Sequence, residues 1–132
     1  MSLKDKVVVV TGGAKGIGLG CTLKFIEEKA KVVCADLDDQ ALAELVKSNP
    51  TAELLTQKID VSSEAQVRKL AEIVEGKYGK VDAIVNCAGI QTYGTVTETS
   101  EELWDKTFNV NVKSMFFMAK YFVPLMKKNG KG

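Results

Sequence analysis

The residues with the clearest chemical meaning form a glycine-rich segment, Thr11-Gly12-Gly13-Ala14-Lys15-Gly16-Ile17-Gly18. The segment follows four consecutive valines and opens a stretch with helical spacing, which is the strand-turn-helix context of a nucleotide-binding loop. In that context the glycines permit a tight turn, close approach of the backbone to a pyrophosphate, and packing of the helix on the sheet. The first N–H groups of the helix and the positive end of its dipole favour an anion. We therefore predict cofactor contacts from Gly12, Lys15, Gly16, Ile17 and Gly18; the alternative is a glycine-rich turn without a ligand.

An acidic residue, Asp36, ends the second apolar run, eighteen residues after Gly18. An acid at this place can accept hydrogen bonds from the ribose hydroxyls of a dinucleotide, although it could also be a solvated strand-end aspartate. Asp38 and Asp39 add negative charge, which repels a 2′-phosphate and favours NAD over NADP. Lys15 favours NADP instead, because an ammonium group in the loop could pair with a 2′-phosphate.

The composition excludes several other classes of protein. The chain has 132 residues, 45% of them hydrophobic, so one globular domain is expected. Its 18 basic and 17 acidic residues are interspersed, which argues against partners such as nucleic acid or an anionic membrane. Without histidine the chain cannot build a His-centred triad or a His-ligated zinc site, and no metal site is predicted. No apolar run is long enough for a membrane span or a signal peptide, so we expect a cytoplasmic protein.

Two further features of the sequence argue against a nucleotide-hydrolysing loop and against a disulfide framework. A Walker A loop does not fit, because Leu19 stands where its lysine is required. The three cysteines, Cys21, Cys34 and Cys87, each lie in an apolar stretch. This placement predicts buried thiols and not a disulfide framework.

Four β-branched runs alternate with four helical stretches, which is the pattern of a parallel sheet with helices on both faces. The predicted strands are Lys6–Thr11, Lys31–Asp36, Glu53–Asp60 and Val81–Cys87. The predicted helices are Gly16–Glu28, Asp38–Lys47, Ser63–Tyr78, and a longer fourth helix from about Ser100 to the basic turn and glycine at 127–130. The fourth helix is predicted to carry one apolar stripe, made of Trp104, Phe108, Val112, Met115, Phe116, Ala119, Phe122 and Met126.

Three further segments accompany the glycine loop. Asp60-Val61 follows the third predicted strand, Asn86-Cys87-Ala88-Gly89 closes the fourth, and Asn111 lies in the fourth helix. Together with the T-G-x-x-x-G-x-G form of the loop, they resemble the classical short-chain dehydrogenase/reductase family from Lys6 to the end of the chain. Cys87 departs from the N-N-A-G motif of that family, which removes a side-chain amide from the central sheet.

The resemblance implies roles for these residues. It implies cofactor contacts from Asp60, Val61, Asn86, Ala88 and Gly89, with the Asp60 carboxylate near the adenine amine. It also implies that Asn111 is a catalytic residue that helps to hold a proton-relay water. Asn109, two residues earlier on the helix, is predicted to lie on the surface.

The resemblance further implies a fold and an activity. Residues 1–132 are expected to form a single NAD(P)-binding domain, the N-terminal half of a Rossmann-type, doubly wound α/β fold. Its parallel sheet would be truncated to about four strands in the order 3-2-1-4, with helices on both faces. The implied cofactor is NAD, with NADP less favoured, and a full-length parent would oxidise an alcohol or reduce a ketone.

Proton transfer in that family depends on a serine and a Y-x-x-x-K pair. The tyrosines of this chain are Tyr78, Tyr93 and Tyr121, and none has a lysine four positions later. We therefore expect cofactor binding without efficient turnover, since general acid-base assistance is typically worth about 10²- to 10⁴-fold. Two alternatives stay open: a non-catalytic folding or interaction module, and a methyltransferase-like protein, whose site also combines a glycine loop with an acid after strand two.

A sheet of four strands would leave the fourth strand as an apolar edge. Unpaired N–H and C=O groups over Ala83–Cys87 would invite pairing with another chain. The aromatic side chains of the last helix would also lack partners, and the resemblance implies an interface role for Phe116, Phe117, Tyr121 and Phe122. We therefore predict self-association through strand four, the last helix, or both.

Overall fold

The apolar runs form the strands of a parallel sheet, and the stretches between them are helical. The structure, a computed structural model, describes residues 2–132. Its strands are β1 (Val7–Thr11), β2 (Lys31–Asp36), β3 (Leu54–Lys58) and β4 (Ala83–Asn86). Its helices are α1 (Gly16–Glu27), α2 (Asp39–Ser48), α3 (Glu64–Tyr78), α4 (Glu101–Phe108) and α5 (Ser114–Lys128), with a π-helical turn (Asn109–Lys113) between the last two.

The four strands are parallel and lie in the order β3-β2-β1-β4, which confirms the predicted topology. β3 and β4 are shorter than predicted, and at their carboxyl ends each ladder ends where the neighbouring strand ends. Asp36 at the end of β2 pairs with Lys58, and Thr11 at the end of β1 pairs with Asn86. All four strands therefore finish at one edge of the sheet.

Helices cover both faces of the sheet, as predicted. Val7 and Val9 point to the face covered by α3 and α5, where they share a core with Leu70 and Phe122. Val8 and neighbouring side chains point to the opposite face, which is covered by α1 and α2. Because both faces are buried, the central strands are continuous valine runs and do not alternate with polar residues.

The fourth predicted helix is divided by the π-helical turn. An i→i+5 turn adds a residue and rotates everything that follows about the helix axis. The predicted single apolar stripe is therefore wrong: Phe122 is fully buried, whereas Trp104 and Phe116 are 56% and 60% exposed. The side chains of α5 that are buried are Ser114, Phe117, Met118, Phe122 and Leu125.

The burial of α5 also corrects the predicted interface. Phe117 and Phe122 belong to the hydrophobic core and are not available to a partner. Phe116 is exposed, and Tyr121 is half-buried, with its hydroxyl donating a hydrogen bond to Glu64 at 2.8 Å. No helix within residues 2–132 combines the length and the apolar character needed to cross a bilayer.

Asp82 joins three elements at the amino-terminal edge of the sheet. Its carboxylate accepts hydrogen bonds from the Val7 N–H at 2.9 Å, the Lys6 ammonium at 3.0 Å and the Asn129 amide at 3.2 Å. The Lys80 ammonium lies 3.2 Å away. Burial by itself raises the pKa of Asp82, but the N–H of Val7 and the two lysines outweigh it and lower the pKa to about 2. The carboxylate is therefore stabilised in its charged form.

We predict that Asp82→Asn lowers the free energy of unfolding by about 1–3 kcal/mol at neutral pH, because a part-buried, charge-assisted network is lost. The folded-state pKa, about 2, lies below the ordinary 3.8, so the contribution is present above the ordinary value. It is lost as the pH falls through the folded-state value. Denaturant titrations of both proteins across this range should show their stabilities converging towards low pH.

The control is Asp39→Asn. Asp39 also pairs with a lysine, Lys58, at 2.7 Å, but both side chains are more than half exposed. This substitution should change stability by less than about 0.5 kcal/mol. An equal loss of unfolding free energy in the two variants would mean that the part-buried Asp82 network stabilises the fold no more than an exposed ion pair does.

Candidate functional site

A cleft of about 1230 Å³ lies at the edge where the four strands end. Its walls come from the segments that follow each strand and from α4. Open parallel sheets bind ligands at this carboxyl-terminal edge. Among the predicted site residues, those that line the cleft are Gly12, Lys15, Gly16, Ile17, Gly18, Asp36, Asp60, Val61, Ala88 and Gly89.

The glycine loop packs directly on other main-chain atoms at two of its glycines, where no side chain would fit. A Cβ on Gly18 would lie 1.9 Å from the carbonyl oxygen of Gly12, and a Cβ on Gly12 would lie 2.8 Å from the Cα of Ala88. Gly12 also has a φ of +62°, which L side chains rarely adopt. Gly16, with a φ of +52°, differs because the space around it is open. The loop is thus closed against the protein at Gly12 and Gly18 and open at Gly16.

Main-chain hydrogen bonds hold the loop between β2 and β4. The Gly13 N–H donates to the Ala35 carbonyl at 3.3 Å. On the other side, the Cys87 N–H donates to the Thr11 carbonyl at 3.1 Å, and the Ala88 N–H donates to the Thr11 hydroxyl at 3.3 Å. The loop is therefore fixed on both flanks before any ligand binds.

Asp36 contacts the glycine loop directly. One carboxylate oxygen accepts from the Ala14 N–H at 3.0 Å, and the other accepts from the Asp38 N–H at 3.1 Å. Each oxygen has a second lone pair that can accept a further donor. Asp36 therefore positions the loop and also presents acceptor capacity in the cleft.

Lys15, which lines the cleft, forms an ion pair with Asp38. The hydrogen bond between them raises the pKa of Lys15 and lowers the pKa of Asp38. Asp38 also caps α2 by accepting from the Ala41 N–H at 2.9 Å. The cation of the glycine loop is thus already paired with a carboxylate of the neighbouring loop.

Asp60 and Val61 form the cleft wall after β3. Oδ1 of Asp60 accepts from the N–H and the hydroxyl of Ser62, at 2.8 and 2.6 Å. The Asp60 N–H donates to the side chain of Gln66 at 2.8 Å. These bonds form a rigid turn that places the buried Val61 beside the cleft. Contact of these two residues with adenine stays a prediction.

Asn111 clamps the segment after β4 and does not itself line the cleft. Its amide oxygen accepts from the Ile90 N–H, and its amide nitrogen donates to the Ile90 carbonyl, both at 2.8 Å. A side chain with both groups engaged in this way acts as a positioning group for the main chain of residues 89–90. Because Asn111 lies inside the π-helical turn, the clamp also fixes the irregular part of the helix against the cleft. Its catalytic role stays a prediction.

Two asparagines, Asn86 and Asn109, differ in their position relative to the cleft. Asn86 ends β4 with an exposed side chain and lies outside the residues that line the cleft, so its cofactor contact has no geometric support here. Asn109, predicted to lie on the surface, is half-buried and lines the cleft. The added residue of the π-helical turn changes the direction in which the helix presents its side chains.

Sequence reasoning missed the wall that α4 contributes. Glu101, Asp105 and Asn109 recur every fourth residue and line the cleft from one side of α4 and the adjoining turn. Val110 and Ile90 add an apolar patch beside them. The i, i+4 spacing of the polar residues was the available signal, but it resembles that of any solvated helix face.

Comparison with known proteins decides the family. The sequence model described as "short chain dehydrogenase" matches residues 6–132. The chain belongs to the short-chain dehydrogenase family. This confirms the resemblance predicted from the motifs, and it favours the oxidoreductase interpretation over a methyltransferase-like protein.

Individual relatives agree with this assignment. The chain is 39% identical over its whole length to "3-oxoacyl-[acyl-carrier-protein] reductase FabG" of Thermotoga maritima, and covers 54% of that protein. It is 37% identical over 94% of its length to "Dehydrogenase/reductase SDR family member 6" of Rattus norvegicus, covering 48% of it. The chain thus spans about half the length of the curated relatives it matches.

The fold also agrees with a solved structure. A short-chain dehydrogenase/reductase from Burkholderia phymatum, solved in complex with NAD, superposes with a TM-score of 0.92. The two are 33% identical, and the superposition covers 98% of this chain and 47% of the other. The four-stranded sheet and its helices are therefore those of this family of short-chain dehydrogenases.

We predict that Gly18→Ala lowers the free energy of unfolding by about 3 kcal/mol or more, because a Cβ at this position would collide with main-chain atoms that cannot rotate away. Chemical denaturation would measure the loss. The matched control is Gly20→Ala in the same helix, where nothing lies within 4 Å of the added methyl group. That variant should be more stable than the wild type, by about 0.5–1 kcal/mol, since alanine favours a helix. An equal change in the free energy of unfolding of the two variants would contradict the close packing at Gly18.

Proposed function

We propose that these residues bind NAD in the cleft and form the cofactor half of an alcohol or ketone oxidoreductase. The observation that carries the proposal is the glycine loop, which is closed by main-chain packing at Gly12 and Gly18 and open at Gly16, where α1 begins. An open, positively polarised helix start at the end of a parallel sheet suits a pyrophosphate. The relative solved with NAD supports the same class of cofactor.

The residues of the cleft fit the parts of such a dinucleotide. The N–H groups at the start of α1 would receive the pyrophosphate, since the N-cap residue Lys15 makes no side-chain capping bond to them. Asp36 would accept hydrogen bonds from the ribose hydroxyls, and Asp60 with Val61 would border the adenine. Ala88 and Gly89 would border the remainder of the cofactor towards the substrate side.

The charges at the mouth of the cleft favour NAD over NADP. A 2′-phosphate would approach the carboxylates of Asp36 and Asp38, and repulsion between like charges disfavours this. Lys15, the cation that could compensate, is already paired with Asp38. To bind the phosphate, Lys15 would have to give up this partner and leave the Asp38 carboxylate beside the new anion.

Residues outside this set must complete the reaction of the whole protein. Bound NAD would supply the hydride acceptor, but a proton must also leave the substrate hydroxyl, and the family uses a tyrosine and lysine for this step. None of the tyrosines of the chain has a lysine four positions later. We therefore propose that residues 1–132 bind the cofactor without efficient turnover, while Asn111 positions the main chain beside the reacting region. A cytoplasmic location stays a prediction.

An exposed apolar surface on the last helices supports self-association as well. Trp104 and Phe108 stack with ring centroids 4.6 Å apart while remaining 56% and 45% exposed. Val112, Met115 and Phe116, in the π-helical turn and α5, are also each at least 43% exposed. Clustered exposed aromatic and aliphatic side chains are characteristic of protein interfaces. We propose that a second copy of the chain covers them.

We predict that calorimetric titration with NAD gives saturable binding that is at least about tenfold tighter than binding of NADP. Asp36→Ala should weaken NAD binding at least about tenfold, because a ribose acceptor is lost. It should weaken NADP binding less, since a repelling carboxylate is removed together with the acceptor. A purely structural role of Asp36 in holding the loop would instead weaken both cofactors equally.

The control variant is Asp39→Ala, three residues away. The exposed Asp39 pairs with Lys58 and does not line the main cleft, so its removal should change NAD affinity by less than about twofold. Absence of NAD binding at millimolar concentration by a chain with native circular dichroism would contradict the proposal and favour a non-catalytic folding module. Efficient NADH formation from an alcohol by this chain would contradict the proposed lack of turnover.

We predict that multi-angle light scattering shows the average mass rising with protein concentration. Phe116→Glu should shift this curve towards the monomer mass, because a charge on the exposed apolar surface opposes its burial. Val96→Glu is the control, since Val96 is 92% exposed but lies in the loop before α4. A monomer mass at every concentration would contradict self-association. An equal shift of the mass curve in the two variants would mean that the interface does not include Phe116.

A further inference from the structure

A second, smaller cavity of about 550 Å³ adjoins the cleft and shares three wall residues with it, Lys15, Asp36 and Leu37. The rest of its wall is formed by residues 38–40, which lead from β2 into α2. Among the described residues that line this cavity, one is a cation, Lys15, and three are acids. What the Lys15 ammonium contacts therefore decides whether the cavity can receive an anion.

The two carboxylate oxygens of Asp38 have separate partners. Oδ2 forms the ion pair with the Lys15 ammonium. Oδ1 accepts a hydrogen bond from the Ala41 N–H at 2.9 Å and caps α2. The cap uses only Oδ1, so the ion pair at Oδ2 is not required to begin the helix.

Asp36 fixes the main chain at both ends of this ion pair. Its Oδ2 accepts from the N–H of Ala14, the residue directly before Lys15, at 3.0 Å. Its Oδ1 accepts from the Asp38 N–H at 3.1 Å. The acid proposed to receive the ribose hydroxyls thus lies between the two charged partners. A phosphate on the ribose 2′-hydroxyl would be placed beside the Lys15–Asp38 pair.

The ion pair is accessible to such a phosphate. The side chains of Lys15 and Asp38 are 67% and 33% exposed. Ion pairs that are this open to solvent are weak, so the ammonium could exchange its partner for a doubly charged phosphate monoester. The exchange would leave the Asp38 carboxylate unpaired beside the new anion, and repulsion between the two opposes it.

We propose that Asp38 is a specificity-determining residue, which holds the Lys15 ammonium and thereby closes a site for the phosphate of a 2′-phosphorylated dinucleotide such as NADP. The inference rests on the proposed function, since Asp36 must receive the ribose. Two acids then discriminate between the cofactors in different ways. Asp36 binds the ribose hydroxyls, and Asp38 occupies the cation that a 2′-phosphate would need.

The first test is Asp38→Asn. Asparagine keeps an oxygen that can cap α2, but an amide group replaces Oδ2 and cannot accept from an ammonium. Calorimetric titration should show the dissociation constant of NADP falling about tenfold or more, because Lys15 is released and a repelling charge is lost. The dissociation constant of NAD, which has no 2′-phosphate, should change by less than about threefold. Asp38→Ser, which also retains a capping oxygen without the charge, should give the same result.

Two controls separate release of Lys15 from simple loss of charge. In a Lys15→Ala background, Asp38→Asn should improve NADP binding less than about threefold, because no ammonium is released. Asp39→Asn removes the same charge from the neighbouring residue, but it releases Lys58, which does not line the cavity. This variant should also improve NADP binding less than about threefold.

Inorganic phosphate is titrated into Asp38→Asn as a second source of the same anion. We expect it to bind far more weakly than NADP, since it lacks the ribose that Asp36 holds. Equally tight binding of inorganic phosphate would indicate a site for free anions and would overturn the proposal.

Other outcomes would also overturn it. A full gain of NADP affinity in the Lys15→Ala background would show that Lys15 does not receive the phosphate, and equal gains for NAD and NADP would show a general change of the loop. NAD binding by the wild type without a gain for NADP in Asp38→Asn would overturn the role of Asp38 alone. Absence of NAD binding by the folded wild type would instead overturn the proposed function, and the role of Asp38 with it.

Discussion

Main chain packs on main chain around the glycine loop, and the remaining geometry of the cleft follows from this contact. Gly12 and Gly18 lie so close that a Cβ on the second would overlap the carbonyl of the first. This packing places the start of α1 at the end of β1, so the unpaired N–H groups of the helix face the cleft. A side chain at either position would separate helix from sheet and remove the proposed anion site together with local stability.

The two edges of the sheet satisfy their polar groups differently. At the amino-terminal edge, Asp82 accepts from a backbone N–H, a lysine and an asparagine and forms an ion pair with a second lysine, so its charge is neutralised within the chain. At the carboxyl-terminal edge, Asp36 uses its carboxylate to fix the loop and keeps further acceptor capacity, while the first turn of α1 has no side-chain cap. The polar groups without partners at the carboxyl-terminal edge make that edge the candidate binding site.

Much of the fold could be predicted because the chain obeys simple periodicities. Continuous valine runs indicate strands buried on both faces, and the loop glycines at 12, 16 and 18 indicate a turn that enters a helix. The order of the strands required the family resemblance, since the valine runs alone do not say which strand lies beside which. The carboxyl ends of β3 and β4 could not be predicted, because a ladder stops where its neighbour stops, which a single strand's sequence does not reveal.

The parts that could not be predicted depend on contacts between distant segments. The π-helical turn contains Asn111, whose side chain is held by the main chain of Ile90, twenty-one residues earlier. No local preference of residues 109–113 indicates this partner. The turn nevertheless fixes the rotation of α5 about its axis, so that Phe117 and Phe122 enter the core and Phe116 does not. The pairing of Lys15 with Asp38 also joins two separate segments. Lys15 and Ile90 both line the cleft, so the least predictable features of this chain are those that surround its candidate site.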